Sequence, residues 1–238
     1  MYGSLLRCFG LGLILSLLPM QVLAVPARII ILRHAEKFNR HALCDLGEQR
    51  AQALASQFLG RGAAQSLFAA GEKPAAFLGI TVHTIETLTP AAQSWNLAVT
   101  PYTVDAYGDD DDSTKEIDMN RSTQEAAHDV LTDPSYAGKT VVMAWEHKRI
   151  ASSKLERDYP GEQITLRQLL HLDQIADVPK TWPGSNYDFF WIVDYAPANP
   201  VPTGFHMVRQ AFTAPFDNLP ANDWDEPEFQ HIEAGCKK

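Results

Sequence analysis

Two apolar runs in this chain end in histidine. A β-branched run leads into Arg33-His34, and a second apolar run leads into Glu146-His147. Runs of this kind predict buried strands, and ligands of open α/β sheets bind just beyond the carboxyl ends of strands. If the two strands are parallel neighbours, both imidazoles lie over one crevice. A fixed guanidinium beside a nucleophilic imidazole suits binding a phosphate group and attacking it.

The elements that must position these residues alternate between strands and helices. The apolar patterns predict strands at 28–32, 76–82, around 97–104, at 140–145, 189–195 and 205–212, the last two as a hairpin at the sheet edge. They predict helices at 47–59, 87–97 (with Pro90 near the first turn), 122–131, 150–157 and 166–172. This alternation is typical of a layered α/β sheet, and no linker or repeat divides it.

The N-terminal segment has the pattern of a secretory signal peptide. Arg7 precedes an apolar stretch at 9–18, and Val22-Leu23-Ala24 offers small residues for cleavage. The sequence therefore predicts a signal peptide at 1–24 and one periplasmic or secreted domain at 25–238; an uncleaved anchor is the alternative. No later run approaches the ~20 apolar residues of a membrane span, so no stable membrane insertion is expected after cleavage.

The net charge and the cysteine content limit the kinds of partner and the cellular compartment that are expected. The 238 residues carry a formal net charge of −9, which argues against nucleic acid as a partner. Any phosphate site must then be a local positive pocket. Cys8 would leave with the signal peptide, and Cys44 and Cys236 could form one disulfide in an oxidising compartment, a reading slightly favoured over two free thiols.

The tetrapeptide Arg33-His34-Ala35-Glu36 resembles the Arg-His-Gly-Glu signature of the histidine phosphatase superfamily. Three weaker elements of the family follow in its order, so that the resemblance covers about 28–150: Leu43 with Gly47, Glu86-Thr87, and Glu146-His147. The resemblance implies a phosphoglycerate mutase-like fold, a three-layer α/β/α sandwich with a mostly parallel central sheet.

The resemblance also implies a reaction. His34 would attack a phosphomonoester and become phosphorylated, while Arg33 and His147 hold the phosphoryl oxygens, and water would then hydrolyse the phosphohistidine. The expected substrate is a small-molecule phosphate ester, and neither metal nor cofactor is implied. A mutase is less expected outside the cytoplasm.

One position departs from the family pattern. His83 stands where the family has a second arginine. A histidine is charged for only part of the time at neutral pH, so His83 would bind phosphate better in acid. The alternative is that His83 is a surface residue and that the site binds phosphate poorly. Lys37 and Arg40 either line the entrance of the site or belong to the ordinary surface.

The proton donor for the leaving group is open at this stage. Glu146 is the first candidate because it adjoins His147, although alternation along a strand could point it away. A loop region with Asp105, Asp109 and Glu116 is an equal alternative.

Two other interpretations compete with a phosphatase. A non-catalytic protein of the same fold could bind a phosphorylated ligand, which the histidine at position 83 favours. A zinc site built from His34, His83 and His147 is a weaker alternative, because Arg33 would repel the metal. The sequence does not identify the substrate.

Overall fold

The computed structural model describes residues 24–102, 112–225 and 236. Its strands are β1 (Arg28–Arg33), β2 (Ala76–Gly79), β3 (Val99–Pro101), β4 (Thr140–Trp145), β5 (Phe189–Tyr195) and β6 (Pro202–Arg209). Its helices are α1 (Asp45–Leu54, continued by a π-helical turn at Ala55–Leu59), α2 (Val82–Ser94), α3 (Asp112–Thr132), α4 (His147–Ile150), α5 (Ser153–Asp158) and α6 (Leu166–Leu169). Two short 3₁₀ turns lie at Pro134–Tyr136 and Leu172–Gln174.

The strands form one six-stranded sheet in the order β3-β2-β4-β1-β5-β6. β1, β2, β3 and β4 run parallel, whereas β5 is antiparallel to both β1 and β6. The predicted α/β class, the mostly parallel sheet and the late hairpin at its edge are therefore confirmed. β1 and β4 are neighbours, as the two histidine-ended runs require.

Both faces of the sheet are covered. Because side chains alternate along a strand, Ile29 and Ile31 face one layer and Ile30 and Leu32 face the other. The first pair packs with apolar residues of α3 and α6, including Ala126, Ala127 and Leu166. The second pair packs with apolar residues of the helical layer made by α1 and α2, including Leu54, Phe58 and Leu88. The predicted three-layer α/β/α arrangement follows from these two cores.

Helix α2 begins five residues earlier than predicted. Thr81 and Thr84 form a capping box at its start, and they offer a better helix start than the region near Pro90 does. Pro90 consequently lies inside the helix and not in its first turn. Two strands also differ from their predicted bounds. The strand predicted at 76–82 ends at Gly79, and the strand predicted at 205–212 spans Pro202–Arg209.

The C-terminal tail is tied to the start of α1. Cys44, which precedes α1, is bonded to Cys236 with their Cα atoms 5.3 Å apart, so the predicted disulfide is present. The predicted signal peptide lies outside the described residues except for Ala24, and Asp105 and Asp109 lie outside them too. Within the described ranges, no helix combines the length and apolar character needed to cross a bilayer.

Candidate active site

The carboxyl ends of β1 and β4 bring the two histidine motifs together. Arg33 pairs in register with Trp145, and the His34 backbone N–H donates to the Trp145 carbonyl at 3.3 Å. His34 and His147 therefore lie just beyond adjacent parallel strands. This is the crevice at which α/β sheets bind their ligands.

His34 is buried and held in one tautomer. Its Nδ1 lies 2.7 Å from the Ala35 carbonyl oxygen. A carbonyl can only accept, so Nδ1 carries the proton and Nε2 keeps its lone pair. Burial and the charge of Arg33 lower the pKa of His34 well below its usual range. Thr87 of α2 fixes the backbone here, since its hydroxyl accepts from the Ala35 N–H at 2.8 Å.

Arg33 is held by a segment that leads into β5. Its Nη1 donates to the Gly184 carbonyl and, at 3.5 Å, to that of Asn186, while Nη2 donates to the Tyr187 hydroxyl at 3.2 Å. Its guanidinium also lies 3.9 Å from the centre of the Tyr187 ring. Nε is buried and has no acceptor among the described residues. A buried N–H donor of a permanent cation is suited to an oxyanion of a ligand.

Glu146 caps α4 and contacts His147. One carboxylate oxygen accepts from the Lys148 backbone N–H at 3.0 Å, and the other lies 2.8 Å from His147 Nδ1. The second contact falls outside hydrogen-bond geometry, and it becomes an ion pair only when His147 is protonated. Burial raises the pKa of Glu146, but His147 and Arg149 outweigh it and lower the pKa to about 2. Its assignment as proton donor stays a prediction, which this low pKa disfavours.

His147 itself has a lowered pKa. Burial lowers it, and Glu146 only partly compensates by stabilising the imidazolium. The unliganded site therefore favours a neutral His147 at neutral pH. A phosphate dianion placed over the crevice would raise the proton affinity of His147, because a nearby negative charge stabilises the charged form.

His83 is part of the site and not a surface residue. Its side chain is buried, and its ring centre lies 5.7 Å from that of His34. Nε2 donates to the Asn39 carbonyl at 2.7 Å, which leaves Nδ1 for a ligand only when that nitrogen is protonated. Burial and the charge of Lys37 lower the pKa of His83. Binding of a phosphate by His83 must therefore strengthen in acid.

Of the two loop cations, the structure brings only Lys37 to the site. Its half-buried ammonium interacts electrostatically with Arg33 and Glu146, and burial lowers its pKa. Lys37 is thus a second permanent cation beside Arg33. Arg40 lies exposed on the same loop, and nothing in the structure links it to the site residues.

A buried ionic network beneath the site is absent from the sequence predictions. Arg50 of α1 donates from Nε and Nη2 to both oxygens of Glu36, at 2.7–3.1 Å, and from Nη1 to Asp188 at 2.7 Å. All three side chains are at most 8% exposed. The network joins the segment after His34 to the residue that follows Tyr187.

Tyr187 is another residue of the candidate site that the sequence did not reveal. Its ring lies edge-on to His34, with the ring centres 5.9 Å apart. The position of Tyr187 follows from strand direction, which the structure shows. Because β5 is antiparallel to β1, residues that precede β5 lie at the same edge of the sheet as residues that follow β1.

Glu116, the described member of the alternative acid group, lies on α3. Its carboxylate is 3.4 Å from the Arg149 guanidinium, which in turn approaches Glu146. Glu116 is therefore linked to the site through Arg149. Over the described ranges, no three His, Cys, Asp or Glu side chains are placed to hold a metal ion.

Comparisons with known proteins give distant matches. No family model and no curated protein matches the chain. One similar solved structure, SixA from Agrobacterium tumefaciens, is described as a phosphohistidine phosphatase; it has 15% identity, a TM-score of 0.37, and coverage of 76% of this chain and 97% of that one. Another, Mycobacterial hydrolase 2, has 16% identity, a TM-score of 0.39, and coverage of 83% and 92%.

Proposed function

We propose that this protein is an exported, metal-independent phosphatase that hydrolyses a small-molecule phosphomonoester through a phosphohistidine at His34. The observation that carries the proposal is the hydrogen bond from His34 Nδ1 to the Ala35 carbonyl, because it leaves Nε2 as a free nucleophile. Arg33 and Lys37 both act electrostatically on His34 as positive charges. The positive charge that would bind a phosphate group and the nitrogen that would attack its phosphorus atom therefore lie together.

The reaction would proceed in two balanced steps. Nε2 of His34 attacks phosphorus in line, the P–O bond to the leaving group breaks, and an acid protonates the departing oxygen. Arg33 and Lys37 stabilise the phosphoryl oxygens throughout, and His147 and His83 add to them when protonated. Water then attacks phosphorus and gives a proton back to that acid, which now acts as a base; the P–N bond breaks, and phosphate leaves with His34 regenerated.

Export is supported by two independent features. The N-terminal segment carries the pattern of a cleavable signal peptide. The Cys44–Cys236 disulfide is of a kind that persists in oxidising compartments and is rare in the cytosol.

The test is turnover of an aryl phosphate between pH 4 and 8 by the mature protein, with a chelator present. We expect hydrolysis by the wild type, an acid-labile phosphoenzyme, and loss of both in His34→Ala. His128→Ala is the matched control, because His128 is an exposed histidine of α3.

The competing function is a binding protein for phosphorylated ligands. The observation that favours it is His83, whose Nε2 is occupied by a backbone carbonyl where the family has an arginine. Phosphate binding without turnover at any pH would refute the phosphatase and support the binding protein. Turnover abolished by His34→Ala would refute the binding protein.

A further inference from the structure

A chain of alternating charges leads from α3 into the site. The Glu116 carboxylate lies 3.4 Å from Arg149 Nη2, and Arg149 Nη1 lies 3.8 Å from one oxygen of Glu146. The other oxygen of Glu146 is 2.8 Å from His147 Nδ1. We call these four residues the α3–α4 charge chain. It connects an outer carboxylate to an imidazole of the phosphate site.

Arg149 is unusual within this chain. Its side chain is only 4% exposed, yet both of its ionic contacts are long. The Nη2 group also donates to the Glu116 carbonyl at 3.4 Å, and Nε is buried with no acceptor in the described part of the protein. A charge buried with such weak pairing is costly for stability. Residues of this kind are candidates for a role in function.

The charge of Arg149 acts on Glu146. Glu146 is also faced by Arg33 and His34 from the end of β1, by Lys37 from the following loop, and by its neighbours His147 and Lys148 in α4. Arg149 is a permanent cation that contacts this carboxylate directly, since its Nη1 lies 3.8 Å from a Glu146 oxygen. Glu116 contacts Arg149 in turn. Apart from Lys148, the other charges belong to groups that would contact phosphate.

We propose that Arg149 is a positioning residue of the site, which holds the Glu146 carboxylate against His147, while Glu116 holds Arg149 in place. The proposal rests on the phosphatase function and adds residues to that same site. Glu146, fixed as a carboxylate, then stabilises His147 as an imidazolium when phosphate arrives. In this arrangement Glu116 is not the proton donor.

The decisive variant is Arg149→Met, and Arg167→Met is its matched control. Arg167 is also a largely buried arginine, with 11% side-chain exposure and a carboxylate partner in Glu156 at 3.0 Å. Its Nε is buried and finds no acceptor among the residues that the structure describes. It lies on α6, and its ionic partner belongs to α5 and not to the site. Loss of either arginine should lower the melting temperature, so melting alone does not distinguish the two roles.

The first readout needs no activity. Carbon-13 NMR titration of the Glu146 carboxyl should show its midpoint rising by about one unit or more in Arg149→Met, since an opposite charge at this distance lowers a carboxyl pKa by roughly 1–3 units. Arg149→Lys should keep the midpoint near its wild-type value, and Arg167→Met should leave it unchanged. An unmoved midpoint in folded Arg149→Met, or an equal shift in Arg167→Met, would overturn the proposal. If Arg149→Met does not fold, Arg149→Gln gives the same test.

The second readout is kinetic. Arg149→Met should lower kcat about tenfold with little change in KM, and it should bring the acid limb of kcat/KM up into the range between pH 3 and 5. Glu116→Gln should change kcat only a few-fold. A fall of 100-fold or more would identify Glu116 as the proton donor and overturn its place in the chain. A wild type without turnover would refute the phosphatase function, whereas the NMR midpoints would still decide the role of Arg149.

Discussion

Replacing Arg50 by methionine tests the buried network beneath the site. The change leaves Glu36 and Asp188 as buried carboxylates without their shared cation, at 8% and 0% exposure. Removing one partner of a buried ion pair costs about 3–5 kcal/mol. Methionine fills much of the same volume, so we expect a loss of about 4 kcal/mol in the free energy of unfolding at pH 7. This is a large part of the ~5–15 kcal/mol by which domains are stable.

The loss should depend on pH in one direction. Burial already raises the pKa of Asp188, and Arg50 opposes that rise. Without Arg50 the native state binds more protons than the unfolded state above pH ~4, so the stability of the variant falls as pH increases. Each unit by which a carboxyl pKa rises corresponds to about 1.4 kcal/mol. The deficit at pH 5 should therefore be about 1–3 kcal/mol smaller than at pH 7.

Urea denaturation at the two pH values measures both quantities. The control is Arg121→Met, which removes a surface pair whose arginine is 70% exposed and should cost no more than about 1 kcal/mol. A loss below about 1 kcal/mol for Arg50→Met, or a deficit equal at both pH values, would refute the reasoning.

Two further predictions concern the disulfide and His83, the position at which the chain departs from the family pattern. Loss of the disulfide, by reduction or by Cys44→Ser or Cys236→Ser, should lower the free energy of unfolding by about 2–5 kcal/mol. The reason is that a cross-link spanning 192 residues restricts the unfolded chain strongly. Denaturation curves that are identical with and without reductant would contradict this prediction. His83→Arg should extend kcat/KM toward higher pH, because burial and Lys37 lower the pKa of His83 and its charge is lost first as pH rises, whereas a guanidinium stays charged. A pH profile that matches the wild type would show that His83 does not bind phosphate.

The sequence predicted the part of the site that follows parallel strands. Apolar runs ending in His34 and His147 carry a local signal, and the structure places them on adjacent strands. Their likeness to an ordered set of family motifs added His83, which the fold brings to within 5.7 Å of His34 between ring centres.

The rest of the site depends on information that is not local. Tyr187 and Asp188 reach the site only because β5 runs antiparallel to β1, and an apolar run does not encode its direction in the sheet. Arg50 was indistinguishable from a surface arginine on an amphipathic helix until both of its carboxylate partners were placed. The low pKa of Glu146 likewise depends on His147 and then on Arg149, whose burial no spacing in the sequence reveals.

The hydrogen bonds that hold Arg33 have a consequence for the order of events in folding. The carbonyl of Gly184, which holds Arg33 Nη1, lies 151 residues further along the chain. Contacts of such sequence separation form slowly and late in folding. An intermediate in which only β1 to β4 have paired would hold His34 beside an arginine that lacks its acceptors. If the proposed function holds, competence for phosphate should therefore arise only when β5 docks, and the proposed hydrolysis would report completion of the fold.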